Sequence, residues 1–241
     1  MAREDYRSYT APLKDRELVI GVDEAFSSSY EKFLEGIGAK SIKFVSFKDI
    51  YEGGCAEKVD MLLFTGGADV DPKYYGEDKG ARTGSSPKRD KLESSVFENY
   101  YGVAKLGICR GSQLLTVLNG GKLVQDVNNH AISQGHHITY APQGRNHQTF
   151  LTTSTHHQMM FPYNLKKGRD YELLAWSTKH LGTSYLNGLN EEIELPTDFL
   201  EPEIVFYQNS RSLAVQGHPE FVNAHKNFKH LIQTLIKKHL L

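Results

Sequence analysis

The sequence predicts a doubly wound α/β domain with a mostly parallel central sheet, and three observations predict it. Short β-branched apolar runs recur through the first half of the chain, bounded by turn residues. Segments of helical period lie between them, and glycines fall where one kind of segment passes into the other. Continuous apolar runs of this length read as strands buried on both faces. Strands alternating with helices call for parallel pairing through helical crossovers.

Each element has its own signal. The run "ELVIGVD" (Glu17–Asp23) is a first buried strand. "SYEKFLEGIGA" then sets Tyr30, Phe33, Leu34 and Ile37 on one helical face and closes on Gly36 and Gly38. "SIKFVSF" alternates as a strand, and "VDMLLFTGG" is a continuous apolar run ending in a glycine pair. In "RDKLESSVFENYYG", Asp90 and Glu93 have capping-box spacing, which puts an N-cap at Asp90 and a C′ glycine at Gly102. "VAKLGIC" (Val103–Cys109) is the next strand and "SQLLTVLNG" the helix after it. Beyond Gly121 the texture changes. "KLVQDV", "QTFLTTS", "YELLAW", "TSYLNG", "EIVFYQ" and "SLAVQGH" are short strand-like pieces between polar, His- and Gly-rich loops, read as added antiparallel strands. "FVNAHKNFKHLIQTLIKKHL" closes as an amphipathic helix with Phe228, Leu231, Leu235 and Ile236 on its apolar face. With no repeat, low-complexity tract or linker, residues 1–241 read as one domain.

Composition excludes several classes. At 241 residues the chain can bury enough surface to fold without disulfides or metals. A net charge of −1 supplies no basic field for nucleic acid. No apolar stretch approaches the roughly 18 residues of a membrane span, so no membrane partner is expected. The opening "MAREDYRSYT" lacks the apolar stretch of a secretory signal, and two cysteines, Cys55 and Cys109, make no disulfide framework. Both features point to the cytoplasm. Cys55 follows a glycine pair in an expected loop and receives no role.

Cys109 is different. "LGICRGSQLL" places it between Gly107 and Gly111, at the turn from a strand into a helix. That is the layout of a nucleophile elbow, where flanking glycines admit close-packed chain. The helix N-terminus favours a thiolate, and the N–H of Arg110 can face an oxyanion. Alternatively Cys109 is a buried small hydrophobe. A nucleophile needs a base, and "LAVQGHPEF" offers one. Pro219 keeps His218 extended, and in extended chain Glu220 points the same way as His218 and can orient its imidazole.

Together the pieces "LLFTGGADVDPKYYGE", "RDKLE", "LGICRGSQLL", "NGGKLVQDV", "STHHQ" and "VQGHPEF", in this order from about Leu62 to Phe221, resemble the class I glutamine amidotransferase superfamily. Within it the chain is most similar to the γ-glutamyl hydrolase, or peptidase C26, branch. The resemblance implies a flavodoxin-like class I amidotransferase fold and a Cys-His-Glu triad. Cys109 would be the nucleophile, His218 the general acid/base and Glu220 its orienter. Gly67 would supply a second oxyanion N–H beside that of Arg110, with Gly66, Gln113, His157 and Gln158 lining the substrate. Departures include Ala104, where relatives usually carry proline, and the stretches after Gln125-Asp126 and before the last strand, where amine specificity would lie.

The implied reaction cleaves the amide of a small γ-glutamyl compound through a γ-glutamyl thioester. It needs no cofactor, because every step is proton transfer or acyl exchange. A rival reading is the glutaminase subunit of a two-chain amidotransferase that passes ammonia to a separate synthetase or ligase. A third is a non-catalytic binding relative. A homodimer stays open. His136, His137 and His147 raise the question of a metal, but their spacing matches neither H-E-x-x-H nor a Cys/His zinc pattern, so none is expected.

Overall fold

The computed structural model describes residues 11–52, 58–142 and 146–241; Cys55 lies outside them. Five strands form the parallel half of one sheet, in the spatial order β2 (Ser41–Ser46), β1 (Glu17–Val22), β3 (Met61–Phe64), β4 (Ala104–Ile108) and β13 (Ser212–Val215). Four antiparallel strands continue that sheet: β12 (Pro202–Tyr207), β10 (Glu172–Ser177), β7 (Ala131–Tyr140) and β8 (Gln148–Thr155). Two small ribbons pair β5 (Lys122–Val124) with β9 (Met159–Phe161), and β6 (Asp126–Val127) with β11 (Tyr185–Leu186). Strand order reverses between β1 and β3. In a doubly wound sheet such a reversal opens a crevice at the carboxyl ends of the strands.

Helices cover both faces. On one side, α1 (Ser28–Glu35) and α5 (Lys226–His239) pack Phe33, Leu34, Phe228, Leu231 and Ile232 against Leu18, Ile20, Leu106 and Ile108. On the other, α2 (Phe47–Glu52), α3 (Pro87–Asn99) and α4 (Arg110–Leu118) pack Ile50, Phe97, Leu114 and Leu115 against Leu62 and Phe64. Alternate strand residues serve the two cores, which is why β3 is apolar throughout and β1 nearly so, while the edge strand β2 alternates. Each such side chain, fully buried, contributes about 1.5–3 kcal/mol.

Four elements differ from expectation. α3 begins at Pro87, with Ser86 as its N-cap and Tyr100 as its C-cap, so Asp90 is no cap and Gly102 no C′ residue. Proline's fixed φ suits the first helical turn, and Asp90 and Glu93 are buried against arginines instead. The strand in "SLAVQGH" is β13, which pairs with β12 in antiparallel fashion but lies parallel to β4. β7 is a strand that no local signal announces. Its inward positions include imidazole, and Gly135 (φ 73°) interrupts it where the register shifts between Ile132 and His136. α2 has only Phe47 and Ile50 buried, too little to establish a helical period.

Candidate active site

β4 runs straight into α4, and Cys109 sits alone at the junction with φ 53° and ψ −112°. An L-residue there is strained, and such strain persists only when its surroundings over-determine it. They do so here. The Cys109 N–H donates to Val215 O (2.8 Å), while its carbonyl accepts from the N–H groups of Ser112 (2.9 Å) and Gln113 (3.2 Å) and from Ser112 Oγ (2.6 Å). The flanking glycines answer to packing. A Cβ on Gly107 would lie 2.5 Å from Gly111 O, and one on Gly111 would lie 2.0 Å from Phe64 O. Backbone cannot move aside as a flexible side chain can, so strand, elbow and neighbouring β3 fit only without those methyls.

The parallel register of β13 on β4, Val215 opposite Ile108, delivers the chain after Val215 to the same sheet end as Cys109. His218 follows three residues later. Its backbone N–H donates to Thr153 Oγ1 (2.6 Å), its ring stacks on Phe221 (centroids 4.1 Å apart, planes at 12°), and its Nδ1 lies 2.7 Å from Glu220 Oε1. The ring and the Cys109 side chain flank the same point of the chain, since a Cβ on Gly66 would meet both. Burial favours neutral imidazole, but the hydrogen bonds and charges of Cys109 and Glu220 outweigh it and hold His218 up at about 10. The three residues expected to act together are thus brought together.

The Thr65-Gly66-Gly67 loop leaves β3 beside them. A Cβ on Gly66 would stand 3.0 Å from His218 Cε1 and 3.7 Å from Cys109 Cβ, so the loop backbone passes directly over the pair. Gly66 N–H donates to Tyr30 Oη (3.1 Å) and its carbonyl accepts from Arg89 (3.0 Å); Gly67 follows at φ 138°, packed against the Arg89 guanidinium. Burial and the nearby Glu220 carboxylate push the Tyr30 hydroxyl pKa upward, so it stays protonated. Beneath the loop lies a buried ionic cluster. Asp23 accepts from Thr65 N (2.5 Å) and Oγ1 (2.6 Å). Arg89 bonds Asp23 (3.0 Å), Glu93 (2.5 Å) and Thr65 O (3.1 Å), and Arg110 reaches both Glu93 and Asp90. Burial pushes the Glu93 carboxyl up while both arginines oppose it. The side chain of Arg110 therefore braces the loop from below.

The expected binding residues divide. Gln113 is buried, and its amide donates to Gln158 O (3.0 Å). Gln158 is also buried and donates to Thr83 Oγ1 (3.1 Å). His157 is partly exposed, with Nε2 3.3 Å from Asp69 Oδ1. Its hydrogen bond to Asp69 raises its pKa. Sequence reasoning places Tyr30 only on an apolar helical face and gives Thr153 and Asp23 no role. Nothing local marks them, since each acts through a neighbour more than thirty residues away.

A cysteine at a strained strand-to-helix turn, with His-Glu beyond the adjacent parallel strand, defines an α/β protein of the class I glutamine amidotransferase type. Solved structures share that fold. A candidate GMP synthase component from Thermoplasma acidophilum superposes with a TM-score of 0.59 over 90% of this chain and 91% of that one, at 16% identity. A glutamine amidotransferase from Thermotoga maritima gives 0.52 over 92% and 84%, at 13% identity. The Peptidase C26 family model matches residues 12–168, more than half of the sequence, and the chain belongs to that family. Among curated relatives, the glutamine amidotransferase-like protein YvdE of Lactococcus lactis is 34% identical over 120 residues, which cover 42% of this chain and 51% of that protein. The chain thus spans about half the length of that relative.

Proposed function

We propose that the protein is a cysteine-dependent γ-glutamyl amide hydrolase, and one observation carries the reading: Cys109 at its strained elbow and the hydrogen-bonded His218–Glu220 pair stand together at the end of two parallel strands. Cys109 as thiolate attacks the γ-amide carbonyl. Negative charge developing on the carbonyl oxygen is met by the N–H groups of Arg110 and Gly67, each such donor being worth about 10²–10³ in rate. His218, with Glu220 on Nδ1, gives its proton to the departing amine and leaves a γ-glutamyl thioester. His218 then takes a proton from water, which attacks the thioester and releases glutamate. In this reading Gln113, His157 and Gln158 would bound the side of the crevice taken by the glutamyl moiety and amine. Gly66 contributes space there, since both its backbone polar groups are engaged within the protein.

The test incubates the full chain with glutamine and a panel of γ-glutamyl amines. Release of glutamate from the panel, with little from glutamine, supports the hydrolase. Glutamine turnover that requires a second protein identifies instead a glutaminase subunit, the reading suggested by the amidotransferase-like relatives. No turnover, and no adduct at Cys109 with a diazo-ketone glutamine analogue, leaves a binding protein on the same fold. Cys109→Ala is expected to fold normally and to lose at least about 10⁴-fold in kcat; near-native turnover would remove Cys109 as nucleophile.

A further inference from the structure

Away from the triad, three histidines converge on one carboxylate. His130 precedes β7, His136 lies on β7, His156 follows β8, and Glu203 lies on β12. All are buried, at 0%, 6%, 4% and 2% exposure. Around Glu203 Oε1 stand His136 Nε2 at 2.7 Å, His130 Nδ1 at 3.9 Å and His156 Nε2 at 3.9 Å. The ligand atoms of His130, His136 and Glu203 all fall within 4.8 Å of one another, and His156, outside that mutual set, reaches Glu203 alone at the distance given. A tetrahedral zinc with bonds of about 2.0–2.1 Å sets its ligand atoms about 3.3 Å apart, a value inside the 2.7–3.9 Å spread about Glu203. Among the described residues, His130 Nδ1, His156 Nε2 and Glu203 Oε2 are buried without a hydrogen-bond partner. Buried polar atoms of this kind are rarely left so, and each one needs an account.

Of the far sides of the rings, that of His156 is hydrogen-bonded, that of His130 stands beside a carboxylate, and His136 Nδ1 is buried without a partner among the described residues. His156 Nδ1 donates to Gln158 O (2.9 Å), which fixes the proton on Nδ1 and turns the Nε2 lone pair toward Glu203. His130 Nε2 lies 3.1 Å from Glu201 Oε1, and Glu201 is itself held by the N–H groups of Leu181 and Gly182 and by Tyr185 Oη. A ring nitrogen directed at a carbonyl or carboxylate, with the opposite nitrogen turned inward, is the outer-shell arrangement that orients metal-binding imidazoles.

We infer that His130, His136, His156 and Glu203 form a binding site for a divalent zinc-class cation. Three imidazoles and one carboxylate are the donor set of zinc rather than of calcium or magnesium, which take oxygen, or of copper(I), which takes sulfur. With His156 Nε2 drawn in as the fourth ligand beside the three mutually close ones, the buried pocket leaves no open position, so the ion is structural and takes no part in acyl transfer. It ties the β7–β8 hairpin to β12, and the Glu203 carbonyl accepts from Gln216 N (2.9 Å), two residues before His218. Spacing along the chain concealed the set, because its ligands come from three strands and their ends.

Metal analysis of the full chain after zinc loading and exhaustive dialysis tests this directly. One tightly held zinc per chain is expected in the wild type and in Cys109→Ala, with loss from Glu203→Gln and His156→Asn. Cobalt(II) loaded into the metal-free protein should give the intense visible bands of tetrahedral coordination without a thiolate charge-transfer band. Substoichiometric metal in the wild type overturns the site, and so does metal lost from Cys109→Ala but kept by Glu203→Gln. Should Glu203→Gln fail to fold, the wild-type cobalt spectrum decides alone, because a thiolate band would put the ion on Cys109. None of these readouts depends on turnover, so the site and the proposed activity stand or fall separately.

Discussion

His218 holds its proton far above the ordinary imidazole range because two partners outweigh the effect of its burial. A group whose folded value is raised contributes stability that is fully present below its ordinary 6.5 and is lost as pH rises through about 10. Glu220→Gln removes one of those partners while keeping a hydrogen-bond acceptor of similar shape. The His218 midpoint, followed by NMR of its ring protons, should then fall toward the ordinary value. The stability that the wild type loses over this pH window, measured by urea unfolding, should be lost at lower pH in the variant. A midpoint that stays near 10 would leave the contact with Glu220 without electrostatic weight. Both residues are legible in "VQGHPEF", since proline and the two-residue repeat of extended chain act locally. Tyr30 and Thr153 are not, because what distinguishes them is a single long-range hydrogen bond each.

At the scale of elements, the site exists because β3, β4 and β13 end together. Most of that is readable: the apolar runs, the glycine pair and the elbow all declare strand ends. What the residues do not declare is pairing. "SLAVQGH" has the same local signal whether it joins an antiparallel neighbour or lies parallel to β4, and only the second arrangement sets His218 beside Cys109. In the same way Asp90 and Glu93 have capping-box spacing, yet burial commits them to Arg110 and Arg89. The contact of α4 with β3 is the tightest part of the arrangement. Gly111→Ala would place a methyl 2.0 Å from Phe64 O, one residue before the Thr65-Gly66-Gly67 loop. The variant is expected to lose about 1–3 kcal/mol, read by urea unfolding. Displacement of the loop should also slow labelling of Cys109 by a diazo-ketone glutamine analogue about 10²–10³-fold, as for a lost oxyanion donor. Unchanged labelling together with lowered stability would separate the loop from the chemistry.

Across the whole molecule, the antiparallel half folds back on the parallel half. In sheet order β8 is an edge, four strands away from β13, yet Thr153 of β8 accepts the His218 N–H, and a Cβ on Gly217 would stand 2.1 Å from Thr152 Oγ1. The bend in the β7–β8 hairpin makes this contact. β7 pairs with β10 only through Ile138–Tyr140, and the register break at Gly135 releases the rest of the hairpin to curl over the end of β13. Two constraints act on Gly135: its φ of 73° and a Cβ position 2.0 Å from Thr152 O. They can be separated. Asparagine tolerates left-handed backbone far better than alanine does, but both carry a Cβ. If packing against Thr152 governs the bend, Gly135→Ala and Gly135→Asn should fall alike, each by at least about 1–3 kcal/mol, and both should loosen the hold of Thr153 on His218. If backbone conformation alone governs it, Gly135→Asn should retain near-native stability while Gly135→Ala does not. Urea unfolding of the two variants, with hydrogen exchange at the His218 amide as the report on the far contact, distinguishes these outcomes. Faster exchange at His218 in both variants would show that a bend in one half of the sheet holds the His218 backbone in the other.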